Sequence, residues 1–192
     1  CYSPHVHTRY GRIHLPVAPK CNISCNYCNR LVSDCYHTFR PGVSARILNA
    51  AEALDIVRIA VRIEPRIKVV GIAGPGEPLY NKETFETLKL VREHYPELIL
   101  CLSTNGLLLP AYANRLADLG VRTCTVTVNA IDPDVGSKIY SYIYLDGSIL
   151  RETSGADTLI RNQLDGIVMA VEAGLTVKVN TVLIPGINSD HV

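Results

Sequence analysis

The chain has 192 residues, 47% of them hydrophobic, and its 19 basic and 18 acidic residues leave a net charge of +1. This length and composition predict one domain, spanning 1–192, with a sizeable core. The balanced charge gives no indication of a nucleic-acid or membrane surface, and no apolar run reaches the roughly 18 residues that cross a bilayer. No signal peptide is found and the count of seven cysteines is odd, so we expect a cytoplasmic protein with free thiols. Because the first residue is Cys1 and not Met, we also expect a piece of a longer protein.

Short apolar, β-branched runs alternate along the chain with longer segments of helical periodicity. This alternation predicts βαβ units and a parallel sheet. The predicted strands are 13–18, 67–74, 98–106, 121–130 and 175–186, and the predicted helices are 44–64, 81–94, 108–119 and 158–173. Ser44 is the expected N-cap of the first helix, and Gly120 and Gly174 are expected just after helix ends. The polar stretch 132–157 is interpreted as a long excursion between the fourth strand and its helix.

The string CNISCNYC places Cys21, Cys25 and Cys28 in a C-x3-C-x2-C spacing after the first predicted strand. Three such thiolates can bind three irons of a 4Fe–4S cluster and leave the fourth iron open to a small molecule. The alternative is a structural zinc site, which needs a fourth ligand at knuckle spacing. No second C-x2-C pair occurs in the chain, which favours the cluster. An iron–sulfur carrier without enzymatic activity stays open as an alternative.

Small and polar residues also follow the later predicted strands, and the carboxyl ends of parallel strands are where such folds bind their ligands. The segment AGPGEPL offers Gly74 and Gly76 for close backbone approach and Glu77 as an acceptor for an ammonium group. A plain strand-to-helix turn is the alternative for this segment. Polar residues after the third, fourth and fifth strands are Ser103, Thr104, Asn105, Asn129, Asp132, Asn180 and Asn188. Turn chemistry explains each of them alone, whereas the series favours one shared ligand site.

Four cysteines lie outside the C-x3-C-x2-C motif: Cys1, Cys35, Cys101 and Cys124. Free cysteine is most often a small buried residue, and Cys124, in the middle of a predicted strand, fits that role. Cys101 lies two residues before Ser103, so strand alternation predicts that both side chains share one face.

The C-x3-C-x2-C spacing with Tyr27 before the last cysteine resembles the signature of the radical S-adenosylmethionine (SAM) enzymes. The resemblance implies a partial (βα)6 barrel, here truncated after about the fifth strand, with a 4Fe–4S cluster whose open iron binds SAM. It also implies that AGPGEPL is the glycine–glycine–glutamate motif that binds the SAM amino group. The residues that it places around SAM are Tyr27, Gly74, Gly76, Glu77, Ser103, Asn105, Asn129, Asn180 and Ile184, with Ile187 beside Ile184 against the adenine.

The run RIHLPVAPKCNISCNYCNR, from Arg12 to Arg30, and the segments LCLSTNGL, TVNAIDP and VNTVLIPGIN resemble one group of that family, the maturases that build the core of the nitrogenase cofactor. The resemblance implies fusion of two 4Fe–4S precursor clusters with a sulfide and a SAM-derived carbide into an eight-iron product. By position, one precursor cluster would be bound by Cys1, His14 and Cys101. The other would be bound by Cys35 and a C-terminal C-x2-C pair that this chain lacks.

The same resemblance implies that 1–192 is a radical SAM core domain whose segment 1–20 helps to bind clusters and whose C-terminal part is absent. The partners that it implies are an iron–sulfur cluster donor, carrier or scaffold proteins for the product, and an electron donor such as ferredoxin or flavodoxin. The alternative within the family is another radical SAM enzyme with auxiliary iron–sulfur clusters, such as a peptide-modifying maturase.

Overall fold

The structure is a computed structural model that describes residues 9–29 and 43–191. Strands in this part of the chain are β1 (Gly11–Leu15), β2 (Ile23–Cys25), β3 (Ile67–Ile72), β4 (Ile99–Thr104), β5 (Val121–Thr127), β6 (Tyr140–Leu145), β7 (Ser148–Leu150) and β8 (Thr176–Asn180). The helices are α1 (Ala50–Ile63), α2 (Lys82–His94), α3 (Leu109–Asp118), α4 (Pro133–Ile139) and α5 (Glu152–Glu172), with a 3-10 turn at Pro78–Tyr80. Cys1 and Cys35, both expected to bind clusters, lie outside the described residues.

Five of the strands form one parallel sheet in the order β1-β3-β4-β5-β8. Every neighbouring pair in this sheet is parallel, and α1, α2, α3 and α5 lie on the successive crossovers. Each predicted strand of the parallel set is present, although most are shorter than predicted. The predicted α/β class with a parallel sheet is confirmed.

The two faces of the parallel sheet differ in composition. One face packs against the helices and contributes Leu15, Ile72, Leu102 and Cys124 to the main hydrophobic core. Because strand side chains alternate between faces, the residue before each of these points to the opposite face. These residues are His14, Gly71, Cys101 and Thr123, and we call the face on which they lie the inner face.

Helix α1 begins later than predicted because its N-cap is Asn49 and not Ser44. The Asn49 side chain accepts a hydrogen bond from the backbone N of Glu52, and the Glu52 carboxylate accepts one from the backbone N of Asn49. This reciprocal capping box satisfies two amide donors at once. The Ser44 hydroxyl instead donates to the carbonyl of Arg46 in the connection that precedes the helix.

The stretch 132–157, interpreted from sequence as a polar excursion, contains α4, β6, β7 and the first turn of α5. Most of the stretch does lie between β5 and α5 as expected, but its strands were missed: β6 and β7 form a hairpin that joins β2 in a second, antiparallel sheet of order β2-β6-β7. The hairpin turns at Asp146 and Gly147, with φ of 49° and 81°. Two consecutive positive φ angles suit an Asp-Gly turn between twisted strands. Helix α5 therefore begins at Glu152, earlier than expected.

The predicted helix ends are confirmed, because Gly120 and Gly174 follow α3 and α5 with φ of 78° and 86°. Glycine adopts this left-handed conformation without a Cβ penalty. None of the helices in the two described ranges is both long and apolar enough to cross a membrane.

Candidate functional site

A cavity of about 200 Å³ opens at the carboxyl ends of β3, β4 and β5. Ten of the residues predicted to bind cluster or SAM line it: Cys21, Cys25, Tyr27, Cys28, Gly74, Gly76, Glu77, Ser103, Asn105 and Asn129. Further lining residues are Ile23, Ala73, Pro75, Thr104, Thr127 and Tyr140. Five separate chain segments thus converge where a parallel sheet of this kind binds its ligands.

Cys21, Cys25 and Cys28 reach the cavity from the segment after β1. Cys25 ends β2 and lies opposite Tyr140 of β6, and the backbone N of Cys28 donates to the carbonyl of Cys25 at 3.1 Å. All three cysteines are partly exposed. Among the described residues, no three His, Cys, Asp or Glu side chains gather closely enough to enclose one metal ion. A 4Fe–4S cluster spreads its thiolates over separate corners of a cube, and three soft thiol ligands fit it.

Gly76 holds the loop after β3 against the cysteine-bearing segment. Its backbone N donates to the carbonyl of Ala18 at 2.6 Å, and the backbone N of Glu77 donates to the carbonyl of Lys20 at 2.8 Å. A Cβ at Gly76 would lie 2.2 Å from the Lys20 carbonyl oxygen, so only glycine allows this contact. Gly74 has a φ of 70°, which glycine adopts most readily. Both glycines are thus required by the path of the backbone around the cavity.

Asn81, which the sequence analysis did not single out, also binds the cysteine-bearing segment. Its Nδ2 donates to the carbonyls of Lys20 at 2.8 Å and Glu77 at 2.7 Å, and its Oδ1 accepts from the backbone N of Lys20 at 3.2 Å. Because Cys21 follows Lys20, these bonds fix the backbone position of Cys21, the first cysteine of the motif.

The Glu77 side chain is only 2% exposed. Its Oε1 accepts hydrogen bonds from the Leu79 backbone N at 3.0 Å and the Thr104 hydroxyl at 2.5 Å, and its Oε2 accepts one from the Asn105 backbone N at 2.6 Å. Burial raises the pKa of Glu77 to about 7, although these hydrogen bonds act in the opposite direction. The carboxylate therefore joins the loops after β3 and β4, and its contact with a SAM ammonium stays a prediction.

A second polar link joins Asn105 to the cysteine-bearing segment. The Asn105 Oδ1 accepts from the backbone N of Leu107 at 2.9 Å, which fixes the amide so that Nδ2 donates to Asn22 Oδ1 at 2.8 Å. The Nδ2 of Asn22 is buried and has no hydrogen-bond partner among the described residues. An orphaned donor beside Cys21 fits a site whose bound group supplies acceptors, as the sulfides of a cluster do.

Tyr27 and Asn129 are in direct contact in the cavity wall. The Asn129 Nδ2 donates to the Tyr27 hydroxyl at 2.8 Å, and its Oδ1 accepts from the backbone N of Val182 at 3.0 Å. Burial, then the neighbouring Cys25, raises the pKa of the Tyr27 hydroxyl, which therefore stays protonated. Asn188 is fully buried and its Nδ2 donates to the carbonyl of Asn129 at 3.0 Å. This bond connects the loop after β8 to the cavity wall.

Ile184 and Ile187 pack against a second hydrophobic cluster that also contacts Cys21, Cys25 and Tyr27. Asn180 is the last residue of β8, pairs with Thr127 and is exposed. It does not line the cavity, so its role at a ligand stays a prediction.

His14 and Cys101 lie on the inner face, in one row with Gly71 between them. The partial burial of the imidazole, then the positive charge of Arg12, lowers the pKa of His14. Cys124 instead belongs to the helix-facing core, where burial raises the pKa of its thiol. Cys124 therefore has the core position expected of it, whereas the binding of a cluster by Cys101 stays a prediction.

The family model described as the radical SAM superfamily matches residues 15–192. The chain belongs to the radical SAM superfamily. Membership implies a 4Fe–4S cluster and SAM as cofactors, and the three cysteines, the cavity and the orphaned Asn22 donor fit that pair.

The superfamily members most similar in sequence share a name. The chain is 53% identical to the FeMo cofactor biosynthesis protein NifB of Methanocaldococcus infernus, over all of this chain and 64% of that protein. It is 50% identical to NifB of Methanocaldococcus jannaschii, again over 64% of that protein. NifB of Klebsiella pneumoniae is 50% identical over 98% of this chain and 40% of its own length. The chain thus spans less than two thirds of these relatives.

Solved structures of the superfamily share the fold at low sequence identity. Native anSMEcpe with bound AdoMet and Kp18Cys peptide matches with a TM-score of 0.55 and 18% identity, over 88% of this chain and 43% of that one. Native anSMEcpe with bound AdoMet matches with a TM-score of 0.52 and 20% identity, over 88% of this chain and 42% of that one. The expected partial radical SAM barrel is confirmed.

The radical SAM motifs predicted most of the cavity residues. They did not predict the residues that support the cavity residues by contacts with neighbouring segments. Besides Asn81, the residues missed are Asn22, Tyr140 and Gln163. Gln163 lies on α5, and its Nε2 donates to the carbonyls of Asn105 at 2.7 Å and Thr127 at 2.9 Å, tying the ends of β4 and β5 together. Nothing in the sequence distinguishes Gln163 from other polar helix residues, whereas Asn22 lies within the cysteine motif itself.

Proposed function

We propose that this chain forms the SAM-cleaving core of a maturase that makes the eight-iron precursor of the nitrogenase cofactor. The maturase would fuse two 4Fe–4S precursor clusters, as substrates, with a sulfide and a carbide derived from SAM. The observation that carries the proposal is the 53% identity to a NifB protein over the entire chain, which includes the cysteine cavity, His14 and Cys101. The proposed maturase is a radical SAM enzyme of the lyase or transferase type, and methyl transfer is one of its steps.

In this proposal Cys21, Cys25 and Cys28 hold the resident cluster. When bound, cluster and SAM supply a 5′-deoxyadenosyl radical by reductive cleavage of the sulfonium. The protein's part is to place the three thiols and to close the cavity around them. Gly76 and Asn81 fix the cysteine-bearing segment, as the backbone bonds to Ala18 and Lys20 indicate.

The polar cavity residues orient SAM. Glu77 and Asn105 present a rigid edge, because each is already hydrogen-bonded to a neighbouring loop. Tyr27 and Asn129 form the opposite wall, and Ile184 supplies an apolar surface that keeps water away from the adenine side. The remaining residues of the predicted SAM-binding set are Gly74, Ser103 and Asn180.

His14 and Cys101 bind one precursor cluster on the inner face, together with Cys1. Cys35 contributes to the site for the other precursor, whose remaining ligands belong to a segment outside this chain. Imidazole is an uncommon cluster ligand beside thiolate, so His14 is the ligand that releases its cluster during fusion. A normal rate of product formation in both His14→Ala and His14→Cys variants would contradict this role.

The partners follow from the chemistry of the reaction. A cluster donor supplies the precursors, a carrier or scaffold accepts the product, and a one-electron donor such as ferredoxin or flavodoxin reduces the resident cluster. An oxygen-sensitive cluster suits the reducing cytoplasm. Nothing in the charge balance of +1 favours a nucleic-acid or membrane partner.

Anaerobic reconstitution followed by incubation with SAM and a reductant tests the proposal. We expect about eight or more irons per chain, with 5′-deoxyadenosine and S-adenosylhomocysteine both formed. About four irons, with 5′-deoxyadenosine as the sole nucleoside product, would point instead to a radical SAM enzyme without a precursor site. Full iron loading without SAM cleavage would favour an iron–sulfur carrier, and zinc in place of iron a structural metal site.

A further inference from the structure

The inner face of the sheet carries one row of four residues across β1, β3, β4 and β5. His14 pairs with Gly71, Gly71 with Cys101, and Cys101 with Thr123. Paired residues on neighbouring parallel strands point to the same side of a sheet. The row therefore places an imidazole, a glycine, a thiol and a hydroxyl side by side.

Gly71 has no side chain, which leaves room for the imidazole of its neighbour His14. A Cβ built at Gly71 would lie 2.8 Å from Cδ2 and 3.2 Å from Nε2 of His14, so the imidazole lies over the glycine and occupies the space of a side chain. The backbone of Gly71 is not among the positive-φ glycines of the described residues, so strand geometry alone would accept alanine. The space above position 71, rather than its conformation, is what requires glycine.

Neighbouring strands are roughly 4.8 Å apart, so the Cα atoms of His14 and Cys101 are separated by roughly 10 Å. The imidazole of His14 lies over Gly71, which stands between them. An imidazole on one side and a thiol on the other are both ligands for iron in clusters. We call the space bounded by His14, Gly71 and Cys101 the inner niche.

Thr123 adds a donor at the edge of the inner niche. It is 7% exposed and its hydroxyl is buried without a hydrogen-bond partner among the described residues. A buried hydroxyl without a hydrogen-bond partner is destabilising, so such groups usually bind a partner in the functional protein. Thr123 is paired with Cys101, and both side chains lie on the inner face. The Thr123 hydroxyl is therefore on the Cys101 side of the inner niche.

We infer that Gly71 and Thr123 are positioning residues for the precursor cluster that His14 and Cys101 bind. Gly71 leaves room for the imidazole and so sets its place, and Thr123 donates a hydrogen bond to a sulfur of the cluster or to the Cys101 sulfur. This inference rests on the proposed function, because it requires a precursor cluster at His14 and Cys101. Hydrogen bonds to cluster sulfurs raise the reduction potential, which gives Thr123 a measurable effect of its own.

The test uses Gly71→Ala and Gly71→Val with Gly11→Ala as the matched control. Gly11 is the first residue of β1, where a Cβ would meet the side chain of Ile67 at 3.1 Å, away from the niche. After anaerobic reconstitution, we expect the Gly71 variants to lose about four irons and the nitrogen coupling of a bound imidazole in pulsed electron paramagnetic resonance. Formation of 5′-deoxyadenosine by the other cluster should persist and shows that the chain is folded. Gly11→Ala should keep both the iron and the nitrogen coupling.

Thr123→Val is paired with Thr87→Val, because the Thr87 hydroxyl is also buried without a partner but lies on α2. Thr123→Val should retain its iron and shift the midpoint potential of the His14-ligated cluster to more negative values, and Thr87→Val should not shift it. Full iron and unchanged nitrogen coupling in both Gly71 variants would overturn the role of Gly71, and an unshifted potential in Thr123→Val would overturn that of Thr123. A wild-type protein with about four irons, unchanged by Cys101→Ala, would overturn the proposed precursor site itself and this inference with it.

Discussion

The Oε2 atom of Glu77 accepts a hydrogen bond of 2.6 Å from the backbone N of Asn105, although 28 residues separate the two in sequence. The bond crosses from the loop after β3 to the loop after β4, and the Oε1 atom reaches Thr104 and Leu79. One buried carboxylate therefore holds together two loops that line the cavity. A residue expected to contact SAM has a structural task of its own.

Glu77→Gln should lower both stability and SAM affinity. The amide keeps one oxygen acceptor but presents an N–H group where a second acceptor is needed, so one buried donor loses its partner at about 1–3 kcal/mol. If Glu77 also binds the SAM ammonium, the dissociation constant should rise about ten- to a hundredfold at unchanged iron content. Urea unfolding and equilibrium binding of SAM measure the two effects separately.

Glu86→Gln is the control, because Glu86 is exposed on α2, the helix that follows the Glu77 loop. It should change neither quantity. A destabilised Glu77→Gln protein with an unchanged dissociation constant would restrict Glu77 to its structural task.

The stability of the protein should depend on the protonation of Glu77. Its pKa is raised to about 7 by burial, whereas an exposed glutamate has a pKa of about 4.3. The folded protein thus binds a proton that the unfolded chain has released, and the stabilisation from this proton is complete at low pH and is lost as pH rises to about 7.

Between pH 5.5 and 7 we expect the free energy of unfolding of the wild type to fall by about 2 kcal/mol relative to Glu77→Gln, which cannot titrate. Chemical unfolding at several pH values measures the difference. A difference that is constant or increases over this range would show that Glu77 is already ionised in the folded protein.

The parallel sheet and most of the cavity could be predicted from the sequence, because they depend on local patterns. Apolar runs define buried strands, and the polar residues of AGPGEPL and STNG follow those strands directly. Strand alternation placed Cys101 on the face of Ser103, and the position of Cys124 in the middle of a strand indicated a core residue.

The bracing residues could not be predicted, because they act through contacts between distant segments. Asn81 reaches Lys20 across 61 residues, and Gln163 reaches Asn105 across 58. The antiparallel sheet was missed for a different reason. The alternating run YSYIYL and the Asp146-Gly147 pair are typical of a hairpin, but the polarity of the surrounding stretch 132–157 obscured this pattern.

Gly76→Ala should disturb the resident cluster site. The new Cβ would meet the Lys20 carbonyl oxygen, which the backbone places 2.2 Å away, so the cysteine-bearing segment must move. We expect a reduced iron content and slow formation of 5′-deoxyadenosine, measured after anaerobic reconstitution. Gly174→Ala is the control: its left-handed φ makes alanine unfavourable by about 1 kcal/mol, but nothing lies within 4 Å of the new Cβ. Equal loss of iron in both variants would mean that general destabilisation explains the effect.

Replacement of any one of Cys21, Cys25 and Cys28 by alanine should abolish reductive cleavage of SAM, because each removes an iron ligand of the resident cluster. The measurement is the amount of 5′-deoxyadenosine formed with dithionite as reductant. Cys25→Ala is the most informative variant, since Cys25 also lies in β2 and pairs with Tyr140. Its circular dichroism should match that of the wild type, and retained 5′-deoxyadenosine formation would refute the assignment.

Cys101→Ala and Cys124→Ala form a matched pair, because both residues are buried cysteines in adjacent strands of the same sheet. Cys124 lies in the helix-facing core, so its replacement should cost about 1 kcal/mol of packing and leave the iron content unchanged. Cys101 lies on the inner face beside Gly71, so its replacement should remove the iron of one precursor cluster while SAM cleavage persists.

Iron analysis, 5′-deoxyadenosine formation and thermal unfolding of the two variants decide between ligand and core roles. If both variants kept full iron and differed from the wild type only in stability, Cys101 would be a core residue on the inner face. If both lost iron equally, the loss would follow from damage to the sheet. Loss of iron in Cys101→Ala alone, at a stability similar to that of Cys124→Ala, is the result that the alternation of side chains along β4 and β5 leads us to expect.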